Sequence, residues 1–286
     1  MSVPTAVAVN LIGTVEHPEF GGSPFAVAMD GSPYLPVGDA GIVLGVQLGD
    51  LVFGLEGDHV APGATLTHPD QAARHALTSF ACLGNEVRVR TGGAAGATGR
   101  VLGKRGEAGR VIVVFEPDVL ATLAPGDAIQ VRGFGQGSSC PPELAAAGAV
   151  VLNCDPAMLD RLQVRLGERA SFPVRAVVPS KLVGNGLGRP AQQWDLDLAV
   201  TVGNAERWSM AQLRFGDLIA ITDLDVRHNA GYRHGWTTVG VTVHGASRLP
   251  GHGPGVMPVF CGPSELVDVR PDAADHRGVT SDRLWS

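Results

Sequence analysis

Glycine and proline recur along the whole chain, and this feature limits the fold more than any other. The sequence holds 39 glycines and 20 prolines among 286 residues. Both residues are costly inside a helix and favourable in tight turns. They follow no fixed period, which excludes collagen-like and low-complexity structures. Short strands joined by many turns fit this pattern, so we predict a mainly β protein with a few short helices.

Local patterns place the predicted elements. Apolar or alternating segments bounded by Gly, Pro or Asp are typical of short strands. Three segments carry helix-forming residues, and the last of them has Asp155 as a helix N-cap and Pro156 in the first turn. The predicted strands are 42–46, 51–55, 86–90, 111–115 and 129–132, and the predicted helices are 69–80, 142–147 and 156–166.

The order of these elements divides the chain into two β-rich blocks. We predict an N-terminal block at 1–140, a helical connection at 141–171 and a C-terminal block at 172–265. The apolar pattern fades beyond this point, so the tail at 266–286 is expected to be a surface extension or a contact between subunits.

Composition excludes several classes of partner. The net charge is −6 and no run of Lys or Arg occurs, so a nucleic-acid partner is not expected. No segment approaches the roughly 20 apolar residues that span a bilayer, and the N-terminus has no signal-peptide pattern. We expect a cytoplasmic protein without a membrane partner. Its high apolar fraction, 44%, favours a homo-oligomer.

The four cysteines give no sign of a metal or redox site. They are Cys82, Cys140, Cys154 and Cys261, and no two of them form a C-x-x-C pair. Buried free thiols are the simplest expectation, because reduced cysteine packs as a small apolar residue. No pattern of an organic cofactor is found either. The segment at 183–189 has alternate glycines but neither follows a suitable strand nor opens a helix, so it does not predict a dinucleotide site.

Five glycine-containing motifs resemble a prokaryotic family known as domain of unknown function 4438. The motifs are GDHVAPG at 57–63, GKRG at 103–106, GFGQG at 133–137, LRFGD at 213–217 and GHGPGV at 251–256. The resemblance extends from about residue 25 to residue 259. It implies a barrel-like N-terminal part and a β-sandwich-like C-terminal part, without an activity to transfer. The family pattern has an acidic residue where this chain has Ala61 and a histidine where it has Arg105.

Two aspartates in the C-terminal block are the first candidate site residues. Asp195 and Asp197 alternate with apolar residues, as on a strand, so both carboxylates should project from one face. Such a pair suits metal binding or paired acid and base chemistry. An exposed strand face with two solvated charges explains the same pattern equally well.

Asp223 is a further candidate, because it follows the apolar strand at 218–221. Asp225 and His228 lie just after it. Side chains at a strand end are often catalytic, since a rigid element positions the loop. Carboxylates and an imidazole so close in sequence are also compatible with a divalent ion, although the spacing matches no specific metal motif.

Two histidines complete the predicted site. His244 ends a run of valines and threonines, where a satisfied core histidine is the more common outcome. His252 lies in the loop Gly251-His252-Gly253-Pro254-Gly255, whose glycines let the backbone approach a ligand closely. A rigid strand connection is the alternative for this loop.

An N-terminal loop region gives a weaker indication. It contains Asp58, His59, His68 and Asp70, which are metal-ligating residue types. No helical histidine pair of the kind found in zinc hydrolases accompanies them, and no G-x-S-x-G elbow occurs in the chain.

These observations favour an enzyme that acts on a small-molecule substrate by acid and base chemistry, without an organic cofactor. Hydrolase, lyase, isomerase and cyclase reactions are all compatible. The predicted catalytic residues are His252, His244, Asp223, Asp195 and Asp197. Two alternatives stay open, namely a non-catalytic small-molecule-binding or structural oligomeric protein and a metal-dependent hydrolase with a divalent metal.

Overall fold

Strands form most of the regular structure in the computed structural model, which describes residues 7–19, 23–138, 140–271 and 278–285. This confirms the prediction of a mainly β protein. The helices are short, and within the described residues none is long and apolar enough to cross a membrane. The frequent glycines and prolines account for this, because they stop helices after one or a few turns.

Six strands of the N-terminal half close into an antiparallel barrel. The strands of this half are β1 (Val9–Val15), β2 (Ala26–Val27), β3 (Pro33–Tyr34), β4 (Ile42–Val43), β5 (Gly63–Thr67), β6 (Glu86–Val89), β7 (Thr98–Arg105), β8 (Arg110–Val114) and β9 (Ala128–Gly133). The order around the barrel is β1-β9-β6-β7-β8-β5, and β5 pairs back with β1 through Thr14 opposite Thr67. Closure leaves these six strands without an open edge.

Two sheets form the C-terminal half. Its strands are β10 (Val150–Val151), β11 (Arg165–Leu166), β12 (Ala170–Val174), β13 (Ala176–Pro179), β14 (Leu196–Asp197), β15 (Leu218–Asp225), β16 (Gly231–His244), β17 (Gly255–Pro263) and β18 (Val267–Pro271). The larger sheet has the order β10-β17-β16-β15-β13, with β14 also paired to β17. The smaller sheet has the order β11-β12-β18. The rings of Phe172 and Phe260 lie 4.9 Å apart and join the two sheets.

All three predicted helices are present and begin within two residues of the predicted starts, and the structure adds two short helices that the sequence did not predict. Their bounds are α1 (Gln71–Phe80), α2 (Pro117–Leu120), α3 (Pro142–Ala146), α4 (Pro156–Arg161) and α5 (Ser281–Trp285), and 3₁₀ turns occur at Ser180–Leu182, Glu206–Trp208 and Ser264–Leu266. Asp70 caps α1 by accepting a hydrogen bond from Ala73 N, and Asp155 caps α4 in the same way from Ala157 N. Helix α4 ends at Arg161 rather than at the predicted residue 166, because β11 begins four residues later.

The two halves share their apolar core. The segment predicted as a strand at 51–55 forms no strand, and only an isolated bridge joins Leu51 to Arg214. Val52 instead donates a backbone hydrogen bond to Leu213 and accepts one from Ala246, so this segment is tied to two separate C-terminal loops. Its buried side chain lies in a core cluster made mainly of C-terminal residues. The N-terminal half therefore extends into the C-terminal half.

The described end of the chain returns to the core. Val279 and Leu284 are fully buried in a cluster that also contains residues of both halves. Val279 N donates to the carbonyl of Gly216. The tail predicted at 266–286 is therefore not a surface extension over residues 278–285, because its apolar side chains are covered by the rest of the protein.

Candidate functional site

Asp195, which directly precedes β14, and Asp197, which ends it, face the same side of the chain. Asp195 and Asp197 flank Leu196, which pairs with Val256 of β17. Both carboxylate-bearing residues are buried, with 4% and 3% of their surface exposed. Alternation along an extended strand places both side chains on one face, as the sequence predicted. This burial excludes the alternative of a solvated strand face.

His244, the last residue of β16, meets both carboxylates across β17, with which β14 and β16 both pair. Its Nε2 lies 2.8 Å from Oδ2 of Asp195 and 3.1 Å from Oδ1 of Asp197. The other ring nitrogen, Nδ1, lies 2.9 Å from the carbonyl oxygen of Gly245. A carbonyl can only accept, so Nδ1 carries a proton and Nε2 is left with its lone pair when the ring is neutral.

His252 approaches Asp197 from the opposite side. Its Nδ1 lies 2.9 Å from Oδ2 of Asp197 and 3.3 Å from Oε1 of Glu107. Its side chain is 23% exposed and that of Glu107 is 28% exposed. These two residues form the side of the cluster that solvent reaches.

His59 comes from the N-terminal half and joins the same cluster. Its Nε2 lies 3.1 Å from Nδ1 of His252 and 3.8 Å from Oδ2 of Asp197. Its Nδ1 lies 3.1 Å from Oδ1 of Asp58, whose other oxygen accepts a hydrogen bond from the hydroxyl of Tyr34. The chain adopts a left-handed backbone conformation at His59, with φ of 49°. This unusual dihedral directs the imidazole into the C-terminal half.

The cluster consists of two groups of three metal-ligating side chains. The first group, which we call the aspartate site, is Asp195, Asp197 and His244, and the second, which we call the histidine site, is His59, Glu107 and His252. Within each group one ligand atom per residue lies within 4.8 Å of the others. All three members of the aspartate site are buried. Either group has the composition of a site for a divalent metal ion.

Several atoms of the cluster are close together without being aligned for hydrogen bonds. Oδ2 of Asp195, Oδ2 of Asp197 and Nε2 of His244 are buried and have no hydrogen-bond partner. The ion-pair distances between them are nevertheless as short as 2.8 Å. Buried polar atoms normally find a partner, so these atoms need another explanation.

The pKa values reflect this crowding of charge. Burial by itself would lower the pKa of His244, but Asp195 and Asp197 outweigh it and raise the pKa to about 9. In the same way burial opposes a charge on His59, while Asp197 and Asp58 raise its pKa to about 10. Burial would raise the pKa of Asp197, but the three histidines hold it well below its usual value. In the absence of another cation, protons on the imidazoles balance the carboxylates.

Glycines allow the loops of the site to pack against one another. A Cβ atom at Gly255 would lie 2.0 Å from Nε2 of His244 and 2.5 Å from Oδ2 of Asp195. A Cβ atom at Gly253 would lie 1.8 Å from the carbonyl oxygen of Leu198. Such distances are far below van der Waals contact. The loop around His252 therefore needs glycine at positions 253 and 255, because a larger residue there would overlap neighbouring atoms.

A cavity of about 570 Å³ lies beside the exposed side of the cluster. Glu107 and Gly106 form one wall, and Trp194 lies next to them. The guanidinium of Arg189 stacks on the Trp194 ring at 4.7 Å. Arg74 also lines the cavity, and within the described part of the chain its side chain has no carboxylate partner. Arg110, Glu16 and Glu19 line the cavity as well, and Arg110 pairs with both glutamates, so the lining carries charges of both signs.

Asp223 is the one predicted site residue that the structure does not bring to the cluster. Its Oδ1 lies 3.1 Å from Nδ1 of His234 and accepts a hydrogen bond from Gly235 N. Asp223 lies beside the part of β16 that begins near Thr237. At 3.3 Å per residue, Thr237 is about 23 Å along β16 from His244. Asp225 forms ion pairs with two arginines, and His228 is exposed.

His59 and Glu107 are the functional candidates that the sequence reasoning did not select. Of the N-terminal loop residues, Asp58 and His59 join the cluster, whereas Asp70 caps α1 and its backbone N–H bonds to His68. Besides its place in the motif at 57–63, His59 had only the weak signal of the N-terminal loop group that also contains Asp58, His68 and Asp70. Glu107 had no signal beyond following the motif at 103–106.

Comparisons with known proteins identify a family and a related structure. Two family models, described as Domain of unknown function (DUF4438), N-terminal, and Domain of unknown function (DUF4438), C-terminal, match residues 25–160 and 162–276. A solved structure described as the crystal structure of TM1086 is 31% identical, covers 95% of each chain and has a TM-score of 0.89. No curated protein sequence matches this chain.

Proposed function

This chain belongs to the family described as Domain of unknown function (DUF4438), and from its site geometry we propose that it is a metal-dependent hydrolase of small molecules. One observation carries the proposal. Asp195, Asp197 and His244 are buried, and Nε2 of His244 lies 2.8 Å from Oδ2 of Asp195 and 3.1 Å from Oδ1 of Asp197, yet neither Nε2 nor Oδ2 of Asp195 is aligned for a hydrogen bond. Ligands that point at a shared cation have this arrangement.

The distances suit a divalent metal. Metal bonds of about 2.0–2.2 Å to nitrogen and oxygen would place neighbouring ligands roughly 3 to 3.5 Å apart. The separations of 2.8 and 3.1 Å between His244 and the two aspartates lie at the short end of this range. Imidazole and carboxylate together, without a thiolate, favour Zn²⁺, Mn²⁺ or Fe²⁺. The donor set therefore fits the proposed ion.

The surroundings of the ligands also fit a metal site. Metal-bound histidines usually donate their second ring N–H to a carboxylate or a carbonyl, which fixes the ring and its tautomer. His244 has this partner in the carbonyl of Gly245, whereas Nδ1 of His59 lies 3.1 Å from Oδ1 of Asp58 without hydrogen-bond alignment. Both histidines therefore present Nε2 to the cluster.

Metal-free acid and base catalysis, which the sequence favoured, fits the geometry less well. A general base must be unprotonated at the working pH. Without a metal, the carboxylates around His244 and His59 keep both rings protonated near neutral pH, with pKa values of about 9 and 10. Neither ring is then free to accept a proton.

Hydrolysis is the reaction class that this arrangement serves best. A bound divalent ion polarises the bond to be cleaved and lowers the pKa of a water molecule towards neutrality. The aspartate site holds its three ligands in fixed positions within the protein. His252 and Glu107 lie on the open side, where water and substrate have access. Water adds across the scissile bond, its oxygen joining the acyl or phosphoryl group while the leaving group takes up a proton.

The cavity next to Glu107 supports a small substrate. Arg74 and Arg189 are among its lining residues and could bind an anionic group of that substrate, although carboxylates line the cavity too. Guanidinium groups bind carboxylates and phosphates through paired hydrogen bonds. Trp194 supplies an apolar wall. A volume of about 570 Å³ accommodates a metabolite-sized molecule.

The proposal is tested by metal analysis and a hydrolysis screen on the same protein. The full chain is stripped with a chelator, reloaded with Zn²⁺ or Mn²⁺ and assayed on chromogenic carboxylate esters, phosphate esters and lactones. We expect bound metal and metal-dependent turnover of at least one substrate class. Asp195→Asn should reduce both the bound metal and the turnover. Glu206→Gln, at an exposed position, should change neither quantity.

Each alternative has its own outcome. Absence of bound metal in the reloaded protein would overturn the proposal. Stoichiometric metal without turnover in any substrate class would favour a metal-stabilised binding or structural protein instead. Turnover that persists in the metal-stripped protein and in Asp195→Asn would support metal-free acid and base catalysis instead.

A further inference from the structure

The two oxygen atoms of Asp197 face different groups of ligands. Oδ1 lies 3.1 Å from Nε2 of His244, within the aspartate site. Oδ2 lies 2.9 Å from Nδ1 of His252 and 3.8 Å from Nε2 of His59, both in the histidine site. We propose that the protein binds two divalent cations, with the carboxylate of Asp197 bridging them. This inference rests on the proposed function and extends it to the histidine site.

The histidine site has the features of a second metal position. His59 is 3% exposed and its Nε2 is directed at the nitrogen of His252, 3.1 Å away. In the metal-free protein this distance fits a hydrogen bond in which one ring nitrogen donates to the other, and a cation bound by both lone pairs would replace that shared proton. Glu107 adds an oxygen 3.3 Å from the same nitrogen of His252.

A buried atom without a partner points into this second position. Oδ2 of Asp197 has no hydrogen-bond partner although its residue is only 3% exposed. An ionised oxygen with no donor is costly inside a protein. A cation held by His59, Glu107 and His252 would supply the missing charge. The same carboxylate would then satisfy both of its oxygens.

The supporting contacts hold the ligands of the second position in place. Asp58 faces Nδ1 of His59 at 3.1 Å. Arg105 donates to Oε2 of Glu107 at 2.9 Å, and the side-chain amide of Asn185 donates to Oε1. These groups orient the imidazole and the carboxylate before an ion arrives, as the partners of metal ligands commonly do.

Charge balance is consistent with two ions. The cluster contains the carboxylates of Asp58, Asp195, Asp197 and Glu107, which together carry four negative charges when ionised. Arg105 pairs with Glu107 and offsets one of these charges. The three that remain exceed the charge of one divalent cation, and a second cation would cover the excess in this largely buried cluster.

Two cations about 3.5–4 Å apart change what the site can do in hydrolysis. One ion can hold the attacking water while the other holds the oxygen that gains negative charge. The bond from the water oxygen forms as the bond to the leaving group breaks, and the proton of the water passes to the leaving group. Phosphate esters and carboxylic amides are the substrate classes that such pairs commonly cleave.

Metal stoichiometry and magnetic coupling test this inference independently of activity. The full chain is stripped, loaded with Mn²⁺, freed of excess metal and measured by inductively coupled plasma mass spectrometry and electron paramagnetic resonance. We expect two Mn²⁺ per chain and the multiline spectrum of a coupled pair. Glu107→Gln should lower the metal content towards one Mn²⁺ per chain and give the spectrum of an isolated Mn²⁺ ion. Glu206→Gln should retain two Mn²⁺ per chain.

The outcomes separate this inference from the proposed function. One Mn²⁺ per chain, retained in Glu107→Gln and lost in Asp195→Asn, would overturn the second position and leave the proposed hydrolase intact. Two uncoupled ions would also overturn the bridging role of Asp197. Absence of bound Mn²⁺ and Zn²⁺ would overturn both proposals. Circular dichroism of each variant distinguishes a lost site from a lost fold.

Discussion

Oδ1 of Asp58 lies 3.1 Å from Nδ1 of His59, and the opposite nitrogen of that imidazole faces the cluster. The carboxylate therefore determines which nitrogen of His59 is available to a metal. Because Asp58 also accepts a hydrogen bond from Tyr34 at 2.8 Å, its own position is fixed. Asp58 would not contact the metal itself, but it can thus control the affinity of the histidine site for a metal ion.

Asp58→Asn should weaken binding at the histidine site while leaving the aspartate site filled. Loss of a supporting carboxylate typically lowers metal affinity by about 10–100-fold. Competition against a chelator with known affinity measures the change. Asp70→Asn is the matched control, because Asp70 caps α1 and asparagine also serves as an N-cap. Equal affinities in the two variants would contradict a role for Asp58.

Metal should stabilise the folded protein in proportion to its occupancy. A ligand that binds only the native state at 100 times its dissociation constant adds about 2.7 kcal/mol to the free energy of unfolding. Urea denaturation with and without added Zn²⁺ measures this increment. The gain should be much smaller in Asp195→Asn, which lacks a ligand charge. An unchanged unfolding midpoint in the wild-type protein would be inconsistent with a site of useful affinity.

Gly255→Ala should disrupt the aspartate site through the backbone. The added methyl group would lie 2.0 Å from Nε2 of His244, and the buried strand β17 leaves little room to move. We expect loss of metal binding together with destabilisation by about 2 kcal/mol or more. Gly231→Ala serves as the control, since the nearest atom to its methyl group would be 3.9 Å away. A fully metal-loaded Gly255→Ala protein would refute this packing constraint.

Lys104→Met should destabilise the protein increasingly as the pH rises. Nζ of Lys104 is buried and donates hydrogen bonds to Asn153 Oδ1 at 3.0 Å, to the carbonyl of Gln192 at 2.7 Å and to that of Thr78. Removing the donor leaves these acceptors unsatisfied, at a cost of about 2 kcal/mol at neutral pH.

The pH dependence follows from the pKa of Lys104. Burial lowers it from 10.5 to about 8. Between these values the unfolded chain binds more protons than the folded protein, so the wild-type free energy of unfolding rises with pH. The difference in free energy of unfolding between the wild-type protein and Lys104→Met should therefore widen between pH 8 and 10. Urea denaturation checks it, with the exposed Lys181→Met as control. A constant or narrowing difference would argue against a depressed pKa.

Asp223→Asn should leave metal content and turnover unchanged. The sequence made Asp223 a site candidate, but its carboxylate bonds to His234 and Gly235 at the far end of β16. Asparagine tolerates its left-handed backbone conformation, with φ of 57°, and can accept the same backbone hydrogen bond. A fall in bound metal of the size expected for Asp195→Asn would place Asp223 in the site after all.

Local patterns in the sequence predicted much of the fold. Strand alternation, helix caps and turn residues act over a few positions, so they located β6, β8, β9 and the starts of α1 and α4. Closure of the barrel depends on Thr14 pairing with Thr67, which no local pattern indicates. The segment at 51–55 has strand-like residues, yet bonds to Leu213 and Ala246 make it irregular.

The same limit applies to the candidate site. Asp195 and Asp197 were predictable because their alternation is local, and His252 because its glycine loop is unusual. His59 and Glu107 come from different loops of the N-terminal half, and only the completed fold brings them to His252. The expected homo-oligomer and cytoplasmic location stay predictions.

The cluster draws its ligands from both halves of the chain, since His59 and Glu107 precede the helical connection and Asp197 follows it. A cation bound there would act as a non-covalent cross-link between residues more than a hundred positions apart. Neither half alone contains all the ligands of the histidine site, since His59 and Glu107 are N-terminal and His252 is C-terminal. Cutting the chain between the two halves would therefore remove the proposed second position in a single step.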